Sequence, residues 1–276
     1  MSTVAVHEAE AASPPAGISD DAHAPTIEIL REITRGGLAG LITGVVVGGI
    51  GGRLVMRLAA LLVPTSAGAH TENGNVIGAI TLEGSLALIV FAGLAVGAIA
   101  GSVWVMIAPW LPRSTGRRMA TAALVAGALG APVLVQASNI DFIVLRRDPL
   151  VVASLIGLVL LAGPVLVAAE RWLDGRLPRP PVRTAIDSAY ALVAALGTVL
   201  TVFLVIPALA SSKVAIAGLA ILLVGFATLL TWIQRVRGGE PADPGLAVIV
   251  RGALVVAVVT GLWVAFVEVR GALGVF

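Results

Sequence analysis

Seven apolar runs, each close to the length a helix needs to cross a lipid bilayer, set the terms for this chain: 37–62, 82–108, 119–137, 150–169, 186–210, 214–233 and 246–267. The hydrocarbon core of a membrane is about 30 Å thick and a helical residue rises about 1.5 Å, so roughly 20 apolar residues span it. Backbone groups find no water there, so an isolated run of this kind must close its hydrogen bonds within itself, as a helix. The chain is 58% hydrophobic and 12% charged, with a mean hydropathy of +1.02. A soluble domain is about one quarter charged. The fold expected is therefore all-α, a polytopic transmembrane helix bundle of about seven spans, with the lipid bilayer as its main partner.

Residues 1–28 read differently. They are rich in Ala, Pro and acids and lack the basic start and apolar run of an export signal. They are expected to form a disordered cytoplasmic tail, with residues 29–276 forming the transmembrane helical domain. Between them, 26–35 places Ile27, Leu30 and Ile33 at helical spacing among charges, which predicts a short interfacial helix leading into the membrane.

Within the first run Gly36, Gly40, Gly44, Gly48 and Gly52 stand four apart. In a soluble helix each interior glycine costs about 1 kcal/mol against alanine. In lipid, small residues at this spacing strip one face and let a second helix dock backbone to backbone. The second run has its own series, Gly93, Gly97 and Gly101. The two are expected to pack as a glycine zipper, within one chain or between chains.

Orientation follows from the cations, which are enriched on the cytoplasmic side of membrane proteins. With the N-terminus inside, the inner segments carry 12 of the 18 Lys and Arg, the outer segments carry Arg146, Arg147, Lys213 and Arg270, and Arg53 and Arg57 lie within the first run. The second, fourth and sixth runs each end in Trp followed by Arg: Trp110 and Arg113, Trp172 and Arg176, Trp232 and Arg235. Both signals give N-in, C-out, and the cell (plasma) membrane is the location expected for the chain. On this reading the inner arginines are mostly solvated.

The outer face gathers polar residues: Arg53 and Arg57 at the end of the first run, Glu72 in the first loop, Glu83 at the start of the second run, and Asn139 and Asp141 after the third. An arginine inside a membrane span either snorkels to headgroups or faces a partner in the bundle. The blander account, an ion-pair network tying helices together, is favoured over a ligand pocket at an outer mouth. His70 and Glu72 alone do not make a metal site, since no further histidine follows in the chain.

Several functions are disfavoured. The chain has no cysteine, so disulfides, thiol nucleophiles and cysteine-held metals are excluded. A net charge of +2 without a basic cluster argues against nucleic acid. Phosphate-loop, zincin and nucleophile-elbow motifs are absent from the sequence, so no enzyme and no cofactor is expected. The interior polar residues are Thr, Ser and Gln, whereas ion-driven pumps place acids or histidines near the midplane. The favoured reading is a structural or accessory multi-pass protein that packs with a second copy or a membrane partner. The alternative is a small-solute transporter or channel with an outer-mouth site around Arg53, Arg57, Glu83 and Asp141.

The stretches 52–58 (GRLVMRL), 71–74 (TENG), 77–84 (IGAITLEG) and 141–145 (DFIVL) resemble uncharacterised multi-pass integral membrane proteins of actinobacteria. The likeness covers mainly residues 36–160. It implies a membrane-embedded helical fold and transfers no catalytic or binding residue.

Overall fold

The structure, a computed structural model, describes residues 18–71, 76–78, 82–179, 184–210, 214–238 and 243–275. Helix α1 runs without a break through Ile18–Thr43, Gly44–Gly51 and Gly52–Leu62. Helix α2 comprises Leu82–Leu88, Ile89–Ala95 and Val96–Ile107, and a 3-10 turn at Ala108–Trp110 ends it. Then follow α3 (Thr115–Leu134), the short α4 (Asp141–Val144) and α5 (Pro149–Asp174). Helix α6 comprises Thr184–Leu200, Thr201–Val205 and Ile206–Leu209; α7 is Ala215–Val236 and α8 is Pro244–Leu273. Among the described residues the one β-feature is an isolated bridge between His70 and Val76.

The start of α1 differs from the sequence expectation. Ile18 to Glu28, assigned to the tail, is helical here, and the interfacial helix is continuous with the first span. Residues 1–17 lie outside the described residues.

Helix starts follow local chemistry. Asp148 caps α5 by accepting from the backbone N–H of Leu150 and Val151, with Pro149 in the first turn. Asp243 caps α8 in the same way through Gly245, with Pro244 beside it. A short carboxylate before a proline satisfies N–H groups that the helix itself leaves free, and proline loses nothing at that position. Helix α8 closes on Gly274 at φ 70, a left-handed conformation that glycine adopts without penalty.

Among the described residues six helices are long and apolar enough to cross a membrane: those of α1, α2, α5, α6, α7 and α8. Helix α3, the third expected span, has 20 residues but carries Arg117 and Arg118 in its first turn, which lowers its apolarity below that of the others. It is nonetheless packed along its length. Gly163 of α5 abuts Ala122, Gly130 abuts Val159 and Gly127 abuts Leu160, an antiparallel register. On another side Gly261 of α8 meets Ala128 and Gly271 meets Ala137, a parallel register.

Helices α1 and α2 cross antiparallel through their glycines. A Cβ on Gly44 would stand 2.6 Å from the Gly97 Cα, and one on Gly97 would stand 2.8 Å from the Gly40 carbonyl oxygen. Gly40 likewise faces the Gly101 backbone. Those separations leave no room for any side chain. Both helices widen into π-helical turns at Gly44–Gly51 and Ile89–Ala95, and the two turns face one another. The wider turn rotates the ridge, so beyond Gly44 the contacts change. Gly49 meets Ile89, and Gly52 meets only the flexible end of Leu88, at 3.2 Å.

The main core joins α2, α3, α5, α7 and α8 through Trp104, Ile107, Val125, Val167, Ile221, Val224 and Leu254. Large apolar side chains also point outward: Phe91, Phe203, Ile249 and Trp263 are each at least 66% exposed. Water would penalise so much open apolar surface, and lipid does not.

Candidate functional site

One end of the bundle is charged and closely paired. Arg31 and Arg35 lie one turn apart on α1, and Glu170 and Asp174 lie one turn apart at the end of α5. The helices are antiparallel, so the two pairs meet. Arg31 bridges Asp174 at 2.9 Å; Arg35 bridges Asp174 at 2.7 Å and Glu170 at 3.5 Å. Arg118 of α3 reaches both Glu170 oxygens, at 3.0 and 3.2 Å. Arg31 also donates to the carbonyls of Asp174, Leu177 and Pro178, at 2.8, 3.2 and 3.0 Å. The Asp174 carbonyl ends α5, where it has no intrahelical partner and carries the negative end of the helix dipole, and the other two belong to the segment that follows. Tyr190 of α6 donates to the same Pro178 carbonyl at 3.0 Å. Arg235 at the end of α7 approaches Glu32 at 3.5 Å. Trp110 donates to the Thr228 hydroxyl at 2.8 Å, tying α2 to α7.

Most of the described inner arginines are exposed, as expected, and Arg31, Arg35 and Arg118 are the exceptions. Arg31 and Glu170 are each 6% exposed. Helix ends that converge exclude water, and a guanidinium there is held by carboxylates and carbonyls instead. The missed signal was present in the sequence: two acids at i, i+4 closing the fourth run, matched to two arginines at i, i+4 opening the first.

Beside this network lies a pocket of about 200 Å³ between α1, the end of α2, α3, α5 and α7. Its charged lining is Arg35, Arg113, Arg118 and Arg235 against Glu32 and Glu170. Trp104, 3% exposed, forms part of the wall, and the Arg118 guanidinium sits over its ring, 5.0 Å from the centroid. Three donors of the lining are buried without an acceptor: Arg35 Nε, Arg118 Nε and Trp104 Nε1.

The opposite end is closed mainly by apolar contacts. Ala59 of α1 and Val63 just after it pack with Ile77, Leu145 and Val151, and Val135, Phe142, Val152 and Ala272 form a second cluster. The first loop thus lies over the bundle at Ile77, which is 1% exposed. The chain leaves α4 through Arg146 and Arg147, both at positive φ (55 and 54). Left-handed conformations cost non-glycine residues roughly 1–2 kcal/mol each.

The sequence-predicted polar residues are all at this end, apart from Glu72, which lies outside the described residues. Arg53 is half-buried, and its Nε and Nη2 are buried without an acceptor. Arg57 and Glu83 are exposed. Asn139 accepts from the Asp141 backbone N–H at 2.7 Å, so these two are brought together. Among the described residues neither Arg53 nor Arg57 forms an ion pair with an acid. Also among the described residues, no group of three or more His, Asp or Glu is placed to hold a metal.

In comparison with known proteins the chain matches no family model, no curated protein and no solved structure.

Proposed function

We propose that the chain is a multi-pass integral protein of the plasma membrane with seven alternating spans, N-in and C-out, and that its role is structural or accessory and not enzymatic. The observation that carries this is the way the seams of the bundle close. Gly44 on Gly97, Gly163 on Ala122 and Gly261 on Ala128 bring backbones into contact between α1 and α2, α3 and α5, and α3 and α8. Seams this tight favour a packed body over a conduit. The glycine-zipper faces are used inside the chain, so a second copy or a membrane partner would have to dock on other surfaces. The likeness to actinobacterial multi-pass proteins agrees with this reading.

The chain has no cysteine, so single cysteines report topology cleanly. Ser114 and Ser138 flank α3 and are exposed. A membrane-impermeant maleimide should label Ser138→Cys in intact cells and Ser114→Cys only after lysis. Labelling of both from one side would remove the third span and leave six.

A second reading, recognition of a small solute near Arg53, draws on one observation, the two buried donors of that side chain without an acceptor. Native mass spectrometry of the protein in mild detergent separates the readings. A small molecule retained by the wild type and lost in Arg53→Gln supports recognition. A bare monomer or homo-oligomer, unchanged by that substitution, supports the accessory role.

A further inference from the structure

The pocket at the Arg31 end has donors in excess of acceptors. The ion network uses both Glu170 oxygens on Arg118 and Arg35, and Glu32 meets Arg235. Even so, Arg35 Nε, Arg118 Nε and Trp104 Nε1 remain buried and unpaired in residues that line one cavity. Trp104 is 3% exposed and belongs to the main core, so its indole cannot swing out to find an acceptor. Buried N–H groups are almost always satisfied, and each exception calls for a partner. Arg113 lines the same cavity, is exposed, and forms no ion pair among the described residues.

Charge, size and position narrow the class of that partner. Four arginines against two glutamates leave the lining at +2, and a phosphate monoester carries about −1.5 to −2 near neutral pH. Guanidinium forks match the oxygens of phosphate in geometry. A volume of about 200 Å³ is below the roughly 300–1,000 Å³ of sites for drug-sized ligands. It takes a phosphate group and a few attached atoms, not a nucleotide. The pocket also lies where α2, α5 and α7 end and α3 begins, the depth at which lipid headgroups meet a membrane-spanning bundle.

We infer that the cavity lined by Arg35, Arg113, Arg118, Arg235 and Trp104 is a binding site for a phosphate group carrying close to two negative charges, held by the arginine forks and the Trp104 indole N–H. The group comes from a phospholipid headgroup or from soluble phosphate, and this site is independent of any role of Arg53 at the other end.

The test uses the full chain purified in a maltoside detergent, which carries no phosphate. Three probes are titrated: inorganic phosphate, dihexanoyl phosphatidic acid, and dihexanoylglycerol as the phosphate-free control. Binding is read by native mass spectrometry and by the rise in melting temperature that a ligand specific to the folded state produces. The wild type should show saturable binding of phosphatidate and none of the diacylglycerol. Arg113→Gln and Trp104→Phe should each weaken binding about tenfold, the size of one hydrogen bond to a charged group. Arg53→Gln should bind as the wild type does. The melting temperature of unliganded Arg113→Gln should not change, because that side chain is exposed. If Trp104→Phe fails to fold, Arg113→Gln decides alone. Inorganic phosphate binding as tightly as phosphatidate assigns the site to a soluble anion, and binding of the lipid alone assigns it to a headgroup. Absence of saturable binding by both phosphate probes, or unchanged affinity in the variants, overturns the proposal.

Discussion

Helix α1 carries two arginine pairs of identical spacing, Arg31 with Arg35 and Arg53 with Arg57, and they have opposite fates. The first pair is ion-paired with Glu170 and Asp174, and Arg31 also donates to three carbonyls. The second pair meets no described acid. The difference lies in the helix opposite. Helix α5 runs antiparallel to α1 and presents its two acids at the Arg31 end. At the other end it presents Val151 and Leu155, which pack with Met56 and Ala59 on the neighbouring faces of α1. Two equal motifs on one helix thus become a clamp and, among the described residues, two cations without an acid, according to what another segment places at their level.

The largest change expected from breaking this contrast is at Glu170. Removing one member of a buried ion pair leaves its partners charged and uncompensated, at about 3–5 kcal/mol. Glu170→Ala strands Arg118 and weakens Arg35, so it should sharply lower the melting temperature in detergent and the yield of monodisperse protein. An unchanged melting temperature would mean that the pair contributes nothing. The crossing of α1 and α2 tests the same helix midway between its arginine pairs. Gly44→Val places a branched side chain against the Gly93 and Gly97 backbones, where no flexible atom can yield. Overpacking costs typically 1–3 kcal/mol. Gly52→Val meets only Leu88 and should cost distinctly less in the same thermal assay.

That graded response marks what was legible in the sequence. The regular four-residue spacing of glycine announced a close approach, and Gly36, Gly40 and Gly44 make it. The spacing did not show that π-helical turns on both helices would rotate the ridge and end the tight contact before Gly52. The apolar runs were legible because their length is set by the bilayer, and the described helices follow them. Helix α3 is the ambiguous case, since the arginines of its first turn offset its apolar body. At the ends, sequence reasoning weighed Arg53 and Arg57 because charges inside an apolar run are conspicuous. It passed over Glu170 and Asp174 because acids at the end of a span look ordinary. Only the antiparallel register of α1 and α5, a tertiary fact, turns them into partners of Arg31 and Arg35. The pocket beside them was illegible for the same reason, since its lining comes from helices far apart in the chain.

Intermediate effects are expected where charge is kept and geometry is lost. Arg31→Lys retains a cation for Asp174 but cannot reach three carbonyls and a carboxylate together, because an ammonium lacks the guanidinium's planar fork. With hydrogen bonds lost at buried carbonyls, the cost should be about 1–3 kcal/mol. A melting temperature equal to that of the wild type would show that the charge alone matters and that the carbonyl contacts do not.

The smallest effect, with its sign reversed, should come from the other pair. Arg53→Met keeps an unbranched apolar stem and removes the guanidinium with its two buried donors that have no acceptor. An unsatisfied buried donor costs about 1–3 kcal/mol, so its removal should leave stability unchanged or raise it slightly. The matching substitution Arg35→Met should lower stability, because Glu170 and Asp174 would each lose a partner. The opposed signs follow from the contrast between the two pairs, and thermal unfolding of both variants in one detergent measures them together. If Arg53→Met instead destabilises the protein as much as Arg35→Met does, Arg53 must hold an acceptor in the folded state. Repeating the measurement in bilayer nanodiscs and in detergent would then locate it. A loss confined to nanodiscs assigns the acceptor to the lipid, and a loss in both assigns it to the chain itself.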